Sequence, residues 1–130
     1  MILLDTHALV WWVNGDHVSP AAAAAIEDAR EGGGIGLSSI SAWEIAMLVA
    51  AGRLALSMDV PAWLAAVESI EGVRFVPIDN AIAVGAVTLP GDFHKDPADR
   101  LIVATARALG AQLVSADQRI RAYAHVRTVW

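Results

Sequence analysis

Short apolar runs alternate with longer amphipathic or alanine-rich stretches along the chain. Ile2-Leu3-Leu4, Ile35-Gly36-Leu37, Val73-Arg74-Phe75-Val76 and Ala111-Gln112-Leu113-Val114 each read as a short buried strand, and an edge strand is expected near Arg127 to Trp130. Helix signals fill the intervals. A helix over Ala8 to Val13 is stopped by Asn14-Gly15-Asp16, and Ser19 with Pro20 opens a second that runs to about Arg30. Ser41-Ala42-Trp43-Glu44 has the form of a capping box, with Ile45, Leu48 and Val49 on the apolar face behind it and Gly52 as its end. Asp59 opens a helix carrying Trp63, Leu64 and Val67, and Asp79 opens one carrying Ile82, Ala83 and Ala86. Asp96 as N-cap and Pro97 at the first helical position begin a helix that closes at Gly110, with Asp99 at the third position. A short helix near Gln118 to Tyr123 completes the series. Strands alternating with helices at this spacing predict an α/β sheet covered on both faces, in a single domain over 1–130.

Four acids stand at the junctions of this pattern. Asp5 follows the first apolar run, Glu44 follows Ser38-Ser39-Ile40-Ser41, Asp99 lies in the entrance of the helix after Asp96, and Asp117 follows Leu113-Val114-Ser115-Ala116. If the runs are parallel strands, their C-terminal ends share one edge, where open α/β sheets place their sites. Each acid also has a bland explanation: Glu44 as the acid of a capping box, Asp99 as the acid reaching back to the cap amide, Asp117 as a helix opener. Asp5 is the strongest candidate, because an acid after a buried first strand contributes little to packing.

A shared cluster of carboxylates repels itself, and a divalent cation bound by oxygen ligands is the simplest compensation. Mg2+ or Mn2+ suits such a set, and its chemistry here is phosphodiester hydrolysis. His94 is a lone histidine beside the cluster; His7, His17 and His125 have no connection in sequence. The chain has no zinc-type histidine spacing, nucleophile elbow or phosphate-binding glycine loop.

Composition narrows the setting. The chain has 130 residues, 56% hydrophobic content and no cysteine, which excludes disulfides and thiolate metal sites. No uncharged apolar stretch is long enough for a membrane span, and Met1 leads directly into a strand, so neither a membrane protein nor a signal peptide is expected; a cytoplasmic location is. The net charge is −5, yet residues 1–90 carry 3 basic and 10 acidic side chains while residues 91–130 carry 6 basic and 4 acidic. An acidic protein is a poor general nucleic-acid binder, but a basic third beside an acidic site can receive a phosphate backbone.

The motifs resemble the PIN domain family, and within it the VapC-like toxins of toxin–antitoxin pairs. The resemblance is carried by Leu3-Leu4-Asp5-Thr6-His7-Ala8-Leu9 with Trp11-Trp12, by Ser41-Ala42-Trp43-Glu44-Ile45-Ala46 with Gly52-Arg53-Leu54, by His94-Lys95-Asp96-Pro97-Ala98-Asp99-Arg100-Leu101, and by Leu113-Val114-Ser115-Ala116-Asp117. It spans the chain and implies a three-layer α/β/α sandwich around a mostly parallel twisted sheet. It implies a metal-dependent endoribonuclease with Asp5 and Asp99 as principal Mg2+ or Mn2+ ligands. Glu44 would ligate or position the attacking water, and Asp117 would complete the shell. Thr6 would support a ligand or water, Asp96 would remain an N-cap, and Arg100 would pair with a site acid or a phosphate. Lys95, Arg119 and Arg121 are the basic residues expected near RNA. The resemblance also implies a homodimer, to which some of Trp11, Trp12, Trp43 and Trp63 would contribute, and a cognate small antitoxin. Relatives of this group often carry lysine where this chain has Leu48 and phenylalanine where it has Ala98. Two other readings stay in view: a housekeeping RNA-processing nuclease of the same chemistry, and an interaction module whose acids only cap helices. An aspartyl-phosphate phosphatase would need a second acid where His7 stands.

Overall fold

Three consecutive apolar residues without polar alternation suit a strand buried on both faces. The computed structural model describes all residues 1–130 and places β1 (Ile2–Leu4) at the centre of a five-stranded sheet. β2 (Ile35–Ser38) and β4 (Gln112–Val114) flank it, and β3 (Val73–Val76) and β5 (Thr128–Val129) form the edges, in the order β3-β2-β1-β4-β5. Every pairing is parallel. The expected sheet is therefore present, and it is parallel throughout.

Because successive side chains leave a strand on opposite faces, the two sides of the sheet build separate cores. Ile2, Leu4, Ile35 and Leu37 pack with residues of α1 (Thr6–Asn14), α2 (Pro20–Glu31) and α4 (Val60–Glu68), including Leu9, Ile26, Trp63 and Val67. Leu3 and Leu113 point the other way, onto Ile102, Val103 and Ala106 of α6 (Pro97–Leu109) and Ile120 of α7 (Gln118–Ala122). Ile82 and Ala86 of α5 (Asn80–Val87) extend that layer against Val76 and Ala104. The result is helix, sheet, helix. Gly36, a weak strand residue in isolation, has a packing reason: a Cβ there would lie 3.3 Å from Leu3 Cδ1 on the adjacent strand. No helix is long and apolar enough to cross a membrane.

Two helix starts differ from the sequence expectation. α1 begins at Thr6 rather than Ala8, because the Asp5 carboxylate accepts the Thr6 amide and caps it. α3 (Ser39–Ala50) begins before the Ser41/Glu44 pair, with Ser38 as N-cap accepting from the Ile40 amide. The capping box is consequently not formed. The cause is that Ser38 ends β2 directly in extended geometry, so the strand runs into the helix without a loop. α6 starts and stops as expected, with Asp96 capping it, Pro97 in its first turn and Gly110 at φ 62° closing it.

Candidate functional site

The C-terminal edge of the sheet carries an open cavity of about 270 Å³ whose lining includes Asp5, Glu44, Asp99 and Asp117. Thr6, His7, Trp11, Leu48 and Arg53 line it as well. Four acids from four distant segments thus share one hollow. A larger hollow of about 380 Å³ near Arg107 and Arg127 contains no carboxylate and offers no comparable chemistry.

Asp5 is 4% exposed and held from three sides. Oδ1 accepts the Thr6 amide at 2.8 Å, and Oδ2 accepts the Ser115 hydroxyl at 2.7 Å. His7 completes the set. Its Nε2 accepts the Ala116 amide at 2.9 Å, which places the ring proton of the neutral form on Nδ1, facing Asp5 Oδ2 at 3.4 Å. Ser115, fully buried, also accepts the Asp117 amide through its Oγ, so one hydroxyl joins the first and last acids of the site.

Glu44 is placed by Thr6, whose hydroxyl donates to Oε1 at 2.6 Å. With its single proton committed there, Thr6 Oγ1 takes its 2.8 Å contact with Ser41 as an acceptor. Ser41 is fully buried. Burial pushes the Glu44 carboxyl up from its ordinary value; the Thr6 hydrogen bond opposes this, and the charges of Asp5, Asp99 and Asp96 add to the rise. Asp99 is raised in the same way, first by burial and then by Asp5, Asp96 and Asp117, against a lowering hydrogen bond from His94. The mutual repulsion expected from the sequence falls on these two.

His94 Nε2 lies 2.6 Å from Asp99 Oδ2, while its Nδ1 is buried without a partner. Asp96 Oδ2 accepts the Asp99 amide at 2.9 Å, so Asp96 is the N-cap that the sequence implied. The Asp99 carboxylate goes to His94 and does not close a capping box. His94, Asp96 and Asp99 bring one ligand atom each within 4.8 Å of one another, a cluster able to hold a metal ion. Asp99 belongs both to this cluster and to the cavity. The helix cap engages Asp96 and the Asp99 contact engages His94, just as hydrogen bonds engage Asp5, Glu44 and Asp117 in the cavity. Asp117 Oδ1 receives both cap amides of α7, from Arg119 and Ile120. Its bland role is real, and it still lines the cavity.

Arg100 departs from expectation. It meets no carboxylate: its guanidinium donates to the carbonyls of Ala86, Phe93, His94 and Val87 at 2.7 to 3.2 Å. The end of α5 and the loop before α6 surround the side chain with unpaired carbonyls, and a planar five-donor fork satisfies them. Lys95 lines a separate hollow beside Arg100, Arg119 lines another beside His94, and Arg121 is exposed; none lines the acid cavity. Four contributors stand inside the resemblance motifs but received no site role from the sequence: His7, Ser41, Ser115 and Arg53. His7 and Ser115 stand two residues from an acid, but only the β1–β4 pairing brings them together across the sheet.

The sequence profile of the PIN domain family matches residues 2–126. The chain belongs to the PIN domain family. It is a VapC-like member. "Ribonuclease VapC22" of Mycobacterium tuberculosis is 42% identical over 132 residues, covering 99% of this chain and 98% of the relative. Among solved structures, VapBC2 from Rickettsia felis, bound to a DNA fragment from its promoter, is similar at TM-score 0.73 and 18% identity, covering 99% of this chain and 98% of that one. FitAcB from Neisseria gonorrhoeae is similar at TM-score 0.69 and 21% identity, covering 100% and 97%. At those identities the structures speak for the PIN fold alone.

Proposed function

We propose that this PIN domain, spanning 1–130, is a Mg2+- or Mn2+-dependent endoribonuclease and the toxin of a toxin–antitoxin pair. The observation that carries the reading is the single cavity lined by Asp5, Glu44, Asp99 and Asp117, two of them raised by burial and by their neighbours' charge. An all-oxygen, over-charged donor set fits a hard divalent cation. Asp5 and Asp99 would hold it, with Glu44 and Asp117 completing the shell. Such an ion, when bound, offsets charge on the phosphoryl group and acidifies water.

The chain's own residues supply the rest. Ser115, Thr6 and His7 fix the Asp5 oxygens, and His94 fixes Asp99, so these carboxylates need not reorganise when a ligand arrives. Thr6 occupies Glu44 Oε1 and leaves Oε2 as the oxygen that can take a proton from the attacking water. Water adds to phosphorus, the bond from phosphorus to the leaving ribose oxygen breaks, that oxygen takes a proton from solvent to become a hydroxyl, and no covalent protein intermediate forms.

A relative supports the biological setting. The 42% identical relative is named Ribonuclease VapC22. A small antitoxin carrying a cationic side chain toward the acids, a homodimer and a cytoplasmic location complete the proposal. Trp43 at 56% exposure and Met47 at 46%, one turn apart on α3, present an apolar surface suited to an interface.

The test uses antitoxin-free protein beside Asp5→Asn and Asp99→Asn. Metal binding is measured directly, and cleavage of a mixed RNA pool is followed with Mg2+, Mn2+ or chelator. Metal-dependent cleavage that both folded variants lose supports the nuclease. A folded wild type that binds no divalent metal would sink the reading in favour of an interaction module.

A further inference from the structure

Five of the nine lysines and arginines are occupied. Arg30 meets Glu27, Arg74 meets the Met1 sulfur, and Arg100, Arg107 and Arg127 donate to backbone carbonyls. Of the remaining four, Lys95, Arg119 and Arg121 lie outside the acid cavity. Arg53 lines it, the one lysine or arginine to do so, with neither a hydrogen bond nor an ion pair on its guanidinium.

The backbone that presents Arg53 is fixed. α3 ends in a turn in which the Gly52 amide bonds the Val49 carbonyl at 3.0 Å and the Arg53 amide bonds the Leu48 carbonyl at 2.9 Å. Gly52 takes φ 71°, a left-handed conformation that glycine adopts without strain. Leu54 then packs against the core beneath the sheet and anchors the chain on the other side. The arginine is therefore held at the cavity between two tethers.

We propose that Arg53 is a phosphate-binding residue of the cavity, contacting a non-bridging oxygen of the nucleic-acid strand as it crosses the four acids. The assignment rests on the nuclease reading for its biological meaning and on its own geometry for the contact. A polyanion approaching clustered carboxylates needs a cation provided by the protein at the rim, and a free guanidinium forms two parallel bonds to a phosphate. Leu48 lines the same cavity and is tied to Arg53 through the backbone, so position 48 offers a second place from which a cation can reach the strand.

The probe is a fluorescein-labelled single-stranded DNA of mixed sequence, which keeps the phosphates and lacks the 2′-hydroxyls, titrated in Mg2+ by anisotropy at several salt concentrations. Arg53→Ala is expected to weaken binding about tenfold and to flatten the slope of log affinity against log salt by about 0.7, the contribution of one phosphate contact on a single strand. Arg53→Lys is expected to keep the slope, and Leu48→Lys placed in Arg53→Ala to recover it. Mn2+ affinity without nucleic acid is expected to stay within about twofold of wild type, since the guanidinium touches no proposed metal ligand. An unchanged slope in Arg53→Ala, a wild type that does not bind the strand, or a Mn2+ affinity that falls with the strand affinity would overturn the assignment. A slope that changes as expected in a protein that cleaves no RNA would retain Arg53 and overturn the nuclease reading instead.

Discussion

Glu44 and Asp99 tie function to instability. A carboxyl raised in the folded state binds more protons there than in the unfolded chain, so stability falls as pH climbs from the ordinary value through the folded one. Those ordinary values are 4.5 for Glu44 and 3.8 for Asp99. In metal-free protein, Glu44→Gln is expected to raise the melting temperature above wild type at neutral pH and to lose that advantage as pH falls through the raised folded value down to the ordinary 4.5. Paired melting curves in chelator across this range check the sign; a constant offset at every pH would contradict it. Thr6→Val tests the hydroxyl that serves both Ser41 and Glu44. Losing it is expected to lower Mn2+ affinity by about 10- to 100-fold, the usual effect of removing a partner that orients a ligand. Calorimetric titration of the folded variant reads this directly.

At the level of elements, three of the acids are held in place at helix starts and Glu44 within α3, rather than by flexible loops. Asp5 caps α1, Asp117 caps α7, and Asp99 sits in the first turn of α6. Each therefore inherits the rigidity of the element it begins. Arg100 is the strut of this arrangement, joining α6 to the end of α5 and to the loop carrying His94. Arg100→Lys keeps the charge but cannot reach four carbonyls, and leaves partly buried acceptors unmatched. It is expected to cost about 2–3 kcal/mol of stability, read by chemical denaturation. Because the same loop carries the Asp99 partner, the variant is also expected to weaken metal binding. A change confined to stability would show that His94 is held without it.

For the whole molecule, a cation bound only by the folded state adds to its stability. At about one hundred times the dissociation constant this linkage amounts to about 2.7 kcal/mol, or roughly 8 °C in melting temperature for a chain of this size. Mn2+ is expected to produce that shift in wild type and little of it in Asp5→Asn. A shift of equal size in both would mean that the ion binds elsewhere. The parallel sheet explains why one ion can engage so much of the chain: β1 and β4 are neighbours, so segments 110 residues apart meet at Asp5 and Ser115.

The alternating pattern determined the elements, because burial on both sheet faces demands unbroken apolar runs and helix entrances demand particular caps. It also marked Asp5, since a carboxylate next to a buried strand has no packing purpose, while Glu44, Asp99 and Asp117 stood at element junctions with capping explanations and gained their site role from the resemblance. Sequence logic went wrong where two local explanations competed. Ser41 and Glu44 have capping-box spacing, yet Ser38 caps the helix, and Glu44 is turned to Thr6 instead. Arg100 has the chemistry for a phosphate, yet the carbonyls of a folded loop claim it. Which donor faces which acceptor is decided by strand order and helix docking, which join residues far apart in the chain. The roles of His7, Ser41, Ser115 and Arg53 appeared only then: a polar side chain's role follows from its neighbours in space, and a linear pattern records only its neighbours in sequence.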